Sequence, residues 1–199
     1  MSNLLNLLSQ QLTPEVVQQI SRSAGLNQNA TKGVITSALP LLMGALTNNT
    51  QQQSGASSLF KALQNKKHDG NVLSHLGDLI NQPEKGDGNG ILSHILGSKK
   101  EAVEETIGQA NGATKQGTSK ILQMLAPMLL GTLGQQQRRQ GLDVGGLASL
   151  LLNSNKQFTQ EAPKEMGAVR RLLDSDNDGK ILDDVAGIGM KLLGAFLRR

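Results

Sequence analysis

The chain has 199 residues and a mass of 21.1 kDa, with 37% hydrophobic residues and only 2% aromatic ones. Cysteine is absent, which excludes disulfides, thiol nucleophiles and cysteine-based zinc sites. The formal charge of +4 is too slight to argue for nucleic acid, and with no Trp or Tyr there is little to stack on a base.

The predicted elements are helices throughout. A short one spans Leu4–Gln11. Thr13-Pro14-Glu15 then reads as a helix start, a cap residue followed by proline at the first helical position. Val16, Val17, Ile20 and Ala24 give that helix an apolar face, and Gly25 stops it. Residues 34–46 carry a wide apolar stripe of helical period: Val34, Ile35, Ala38, Leu39, Leu42 and Leu46 among others. A stripe this wide needs covering on more than one side. Pro40 lies inside it and predicts a kink or restart. Gly44, one turn on, predicts a close approach of a neighbouring helix. A Gln-rich stretch and a helix over Ser57–Leu63 follow.

Residues 65–89 are rich in Gly and Asn. Val72–Ile80 predicts one helix, and Pro83–Gly90 reads as a flexible linker. Beyond it the chain repeats itself. An offset of 87 residues places Leu5 on Leu92, Val16 on Val103, Ile20 on Ile107, Gly25 on Gly112 and Thr31 on Thr118. The same offset places Pro40 on Pro127, Leu42 on Leu129, Gly44 on Gly131 and Leu46 on Leu133. No gap is needed, so the pattern reads as a duplication. The second copy is expected to hold helices over Ile91–Leu96, from Ser98 to Gly112, along the 121–133 stripe, and over Asp143–Leu152.

The tail, 154–199, belongs to neither copy and holds the one motif with specific chemistry. Residues 174–185 read DSDNDGKILDDV. Asp174, Asp176 and Asp178 alternate, and Gly179 follows. This is the first half of an EF-hand calcium loop. Calcium takes about six to eight oxygens, and alternate spacing aims three carboxylates at one centre. The glycine turn brings in the Lys180 carbonyl as a further ligand. The second half departs from the pattern: the closing Glu position is Val185, so Asp183 and Asp184 would have to complete the shell. That predicts weak binding, roughly 10⁻⁴ to 10⁻³ M. Residues 174–184 carry a net charge of −4 while the rest of the chain carries +8, so a neutralising cation suits the loop. A solvated acidic turn capping the next helix is the competing reading. Helices over 166–173 and 185–199 flank the loop, the latter with Val185, Ile188, Leu192, Leu193 and Phe196 on one face.

Basic doublets such as Lys99-Lys100 and Arg138-Arg139 read as solvated helix ends. His75 and His94, on apolar helix faces in matching contexts, read as half-buried, hydrogen-bonded histidines. No phosphate-cradling loop and no nucleophile–base pair is recognisable.

The segment GILSHILGSK at 90–99, APMLLG at 126–131 and LLDSDNDGKILDDVAG at 172–187 together resemble the YidB-like family of bacterial proteins of unknown function. The resemblance implies an all-helical bacterial protein and supplies no activity and no catalytic residues. The first copy departs from it, with NLLNLLSQQ in place of the His94 segment.

The sequence therefore predicts an all-α protein of two related multi-helix repeats, 1–64 and 90–153, packed together. A linker at 65–89 with a short helix joins them, and a calcium-loop-like helix–loop–helix appendage at 154–199 closes the chain. The function expected is a non-enzymatic binding or scaffold protein whose C-terminus is ordered by calcium. The alternative is association with a lipid or membrane surface through the terminal amphipathic helix. A protein partner or a second copy of the chain is expected, and nucleic acid is not. With no basic leader ahead of the apolar residues at its start, the chain is expected to be cytoplasmic.

Overall fold

The computed structural model describes residues 4–65 and 71–161. Among these the chain is helical, with no strand. Helix α1 spans Leu4–Gln11, as the sequence predicts. Helix α2 spans Pro14–Ala24. Its start is the one read from sequence: Thr13 is extended (φ −63°, ψ 162°) and its hydroxyl accepts from the Val16 amide. Its end is Gly25 at φ 68°, a left-handed position that costs a glycine nothing.

Helix α3 runs from Gln28 to Gln51 and helix α9 from Lys115 to Gln140. Both continue through their prolines, Pro40 and Pro127, without restarting. The Gln-rich stretch at 135–140 is the last part of α9. Each proline removes one donor, so the carbonyls of Thr36 and Gln123 lose the partner one turn ahead. Packing on several sides holds the helices together in spite of this. Val34, Ala38 and Leu42 on α3, and Ile121, Leu122 and Leu129 on α9, are all fully buried. These two helices are the covered, central ones that their wide stripes require.

Helix α4 is Gln53–Gln64. Val72–Ile80 does not form one helix. It divides into α5, Asn71–Ser74, and α6, Leu76–Asn81, with His75 between them. Nor is Pro83–Gly90 a free linker. Pro83–Gly86 forms a 3₁₀ turn against α9, and α7 starts at Gly88 and ends at Leu96. The physical reason is burial: Leu79, Ile80, Ile91 and Leu92 all enter the core, and they draw the polar residues between them onto it. Helix α8, Lys100–Ala110, precedes α9. Helix α10, Val144–Glu161, is longer than the Asp143–Leu152 segment expected. Its Asp143 carboxylate accepts from the Gly146 amide at 2.7 Å.

The helices are interleaved along the chain. Helix α9 packs on α1, α2, α3 and α4 from the first half, and on α7 and α8 from the second. Helix α10 packs chiefly on α3 and α4. Polar links cross between halves as well. Lys120 Nζ donates to the Ser23 carbonyl at 3.4 Å, and Asn111 Nδ2 donates to Ser37 Oγ at 3.1 Å. The glycine expected to admit a neighbour does not do so: a side chain at Gly44 would meet only Asn155 Oδ1, at 3.7 Å. The close approach is made elsewhere, at Gly88. A Cβ there would lie 1.9 Å from the Gln123 carbonyl oxygen. That carbonyl is the one Pro127 has deprived of a helical donor.

Candidate ligand groove

The sequence-predicted calcium ligands Asp174, Asp176, Asp178, Lys180, Asp183 and Asp184 lie outside the described residues, as does the 185–199 helix. Among the described residues, no three His, Asp or Glu side chains converge on a point that would hold a metal ion.

The described residues do form a groove with an apolar floor; a wider, shallower and more polar hollow lies between the start of α3 and the end of α8, around Asn27 and Asn111. Helices α4 and α7 both pack on α3 and α9 but scarcely touch each other. The space between them is a groove of about 540 Å³. Its floor is aliphatic and buried: Leu46 from α3, Leu59 from α4, Ile91 and Ile95 from α7, and Leu130 from α9. On the α4 side stand Ser54, Ser58 and Ala62, each one turn from the next, so that wall is low. On the α7 side stand Asp87, Ile91 and His94. A spacing of three to four residues places them on one helix face.

Two devices fix the α7 wall. At its C-terminal end, Asn49 of α3 donates its side-chain amide to the carbonyls of His94 and Ile95, at 3.4 and 3.2 Å. These belong to the last turn, where carbonyls have no helical donor. At its N-terminal end, Gly88 lies against Gln123 as described. Asp87, immediately before, has φ 54°, the only positive φ outside glycine among the described residues. Aspartate tolerates this conformation better than most residues.

A polar network braces the same end of α7. Glu104 of α8 is 4% exposed. It accepts from Ser119 Oγ at 2.9 Å and has Lys100 Nζ at 3.8 Å. Gln123 donates to Ser119 Oγ at 3.1 Å. Lys100 also donates to the side-chain oxygen of Asn89, in the first turn of α7. Lys100, read from sequence as a solvated helix end, is thus a structural cation. Its counterparts Arg138 and Arg139 do stand exposed at the end of α9, where the helix dipole favours positive charge.

Of the polar groups facing the groove, Asn49 and Thr50 donate to backbone carbonyls and Asn65 is engaged as well, whereas others stand free. Among the described residues, Asp87 has no ion pair, and the hydroxyls of Ser54 and Ser58 and the ring of His94 make no hydrogen bond. His94 and His75 are both exposed, which corrects the half-buried reading. The apolar faces of α6 and α7 are carried by Leu79, Ile80, Ile91 and Ile95, and each histidine sits beside that face. Sequence reasoning missed the groove because its walls lie far apart in the chain. The signal that bore on it was His94, which stands in the segment resembling the YidB-like pattern.

No curated protein and no solved structure matches the chain. A family model for bacterial proteins of unknown function, DUF937, matches residues 6–136, from α1 into α9, and is consistent with the YidB-like resemblance. With two thirds of its length matched, and with both walls of the groove inside the matched region, the chain belongs to this bacterial DUF937 family.

Proposed function

We propose that the protein is a non-enzymatic helical binding module that takes a small ligand between α4 and α7. The observation that carries this reading is the groove itself. Its buried, mainly aliphatic floor is bordered by a carboxylate, an imidazole and two hydroxyls that have no partner among the described residues, the combination of apolar surface and a few polar anchors that ligand sites present. The volume of about 540 Å³ falls within the range of roughly 300–1,000 Å³ for small-molecule sites. The test is an amide-resolved NMR titration of the full chain with a fragment library. Hits should shift residues of α4 and α7 together, and Ser58→Phe, which fills the groove from its low wall, should abolish them. Hits that ignore both helices, or that survive the phenylalanine, would overturn the reading.

Two further parts of the proposal rest on sequence pattern. The protein is built from two related helical units that exchange elements, α9 and α10 lying on helices of the first half. The offset of 87 residues and the links Lys120–Ser23 and Asn111–Ser37, which run from each half to the other, support this. The acidic loop binds calcium through Asp174, Asp176, Asp178, the Lys180 carbonyl and Asp183 or Asp184, and so orders the C-terminal segment by binding its folded form. Calorimetric titration of calcium into metal-free protein should show saturable binding that Asp176→Ala with Asp178→Ala removes. Heat that the double variant retains would sink the assignment.

A further inference from the structure

We infer that the groove is selective for a small amphipathic monocation of the alkylammonium class. Its hydrocarbon lies on the floor and its charged nitrogen at Asp87. The inference rests on the groove being a ligand site and adds what the ligand must be.

Three observations lead to it. The floor is mainly aliphatic, and among the described residues the lining holds no Phe, Tyr or Trp; its one ring, the His94 imidazole, stands exposed on the α7 wall and is a small platform for a flat ligand. A flexible hydrocarbon gains as much from leucine and isoleucine as from any other surface, in proportion to the area it buries. The second observation is charge. Among the described residues, Asp87 is the only Asp, Glu, Lys or Arg facing the groove. It is without an ion pair among the described residues: Lys100, beside the first turn of α7, is occupied by Glu104 and Asn89, and Lys85, two residues before Asp87, makes no ion pair with it. The third is a balance of opposing fields. The start of α7 carries the positive end of a helix dipole, which by itself would favour an anion. That end amounts to about half a positive charge, whereas the carboxylate is a full negative one. The carboxylate outweighs the helix end, so among the described residues that line the groove the charge at this end is negative.

Asp87 is exposed, so the preference is set by a solvated ion pair rather than a buried one. Octylamine, 1-octanol and octanoate share one chain length and differ in the head group, which separates hydrocarbon from charge. Each would be titrated into the full-length protein at low salt, following the amides of Ser58, Ile91 and His94. Octylamine should bind roughly two- to fivefold more tightly than octanol, the range of an exposed ion pair, and octanoate more weakly than octanol. Asp87→Asn, whose asparagine also tolerates a positive φ, should bring the affinities for octylamine and octanol together. Added salt should shrink the same preference in the unmodified protein, a check that needs no variant. Equal binding of all three compounds, or an amine preference that survives Asp87→Asn or high salt, overturns the inference while leaving the groove a ligand site. Absence of any shift at α4 and α7 with all three compounds overturns both.

Discussion

Thr31 and Thr118 stand 87 residues apart, each one turn into a central helix, and both are fully buried. The Thr31 hydroxyl donates to the Asn27 carbonyl at 2.9 Å. Among the described residues, the Thr118 hydroxyl has no partner. A buried polar group left unpaired carries its full desolvation cost, whereas a paired one has recovered most of it. Replacing each by valine, which keeps shape and branching, should therefore have opposite effects. Thr118→Val should raise stability by about 1 kcal/mol, and Thr31→Val should lower it by about 0.5–1.5 kcal/mol. Chemical denaturation of the two variants checks this. At Thr13 the hydroxyl serves both the α2 amides and Glu15. Its hydrogen bond, with a smaller contribution from the Glu15 backbone amide, holds the Glu15 carboxyl below the ordinary glutamate value of 4.5. A lowered folded-state pKa means stabilisation that is complete above the ordinary value and is lost as pH falls through the lowered one. Thr13→Ala should move the Glu15 midpoint upward, as a carbon-detected NMR titration would show. The Thr13-Pro14 start and the Gly25 stop were legible in the sequence because capping is local chemistry, decided within four residues. The exposure of His75 and His94 was not. An apolar helix face has edges, and which edge meets solvent depends on the neighbours.

At the scale of elements, Pro127, Gln123 and Gly88 act as one device. The proline strips a carbonyl of its helical donor, and the glycine lets α7 lie directly on that carbonyl. Gly88→Ala would place a methyl 1.9 Å from a backbone oxygen that has no flexible end to move. The expected loss is about 1–3 kcal/mol, the cost of overpacking, against a gain of under about 1 kcal/mol from the better helix former. Thermal denaturation should show the loss, and α7 amides should exchange faster. Proline was read from sequence as a point where the helix kinks or restarts, and the restart does not occur. Local propensity argues for a restart, but a helix packed on several sides has support that an isolated one lacks. The same reasoning explains Pro83–Gly90. Its Gly, Asn and Pro content is that of a linker, and only the burial of Leu79, Ile80 and Ile91 on either side reveals that the segment is held down.

At the scale of the whole molecule, the helices are shared between halves. Helix α10 buries Leu147 and Leu151, and it packs chiefly on α3 and α4. Helix α1 packs on α9 and α10. Fragments 1–89 and 90–199 should each lack a sharp thermal transition, and mixing them should restore one, as far-UV circular dichroism would record. A cooperative melt from 90–199 alone would show that the second half keeps a core of its own. The central helices were visible in the sequence, because apolar period and width are properties of a continuous stretch. Which helix crosses to which neighbour was not, since packing partners leave no mark within a single segment. The acidic loop is legible only as a pattern and lies outside the described residues. The anchoring of α7 has a last consequence. Its backbone is pinned through Gly88 and through its final carbonyls, while the ring at 94 makes no hydrogen bond among the described residues and bears none of that load. Drift at 94 can therefore retune what the cleft admits without loosening the scaffold, whereas at 87 the positive φ narrows the choice to residues such as Asp, Asn and Gly.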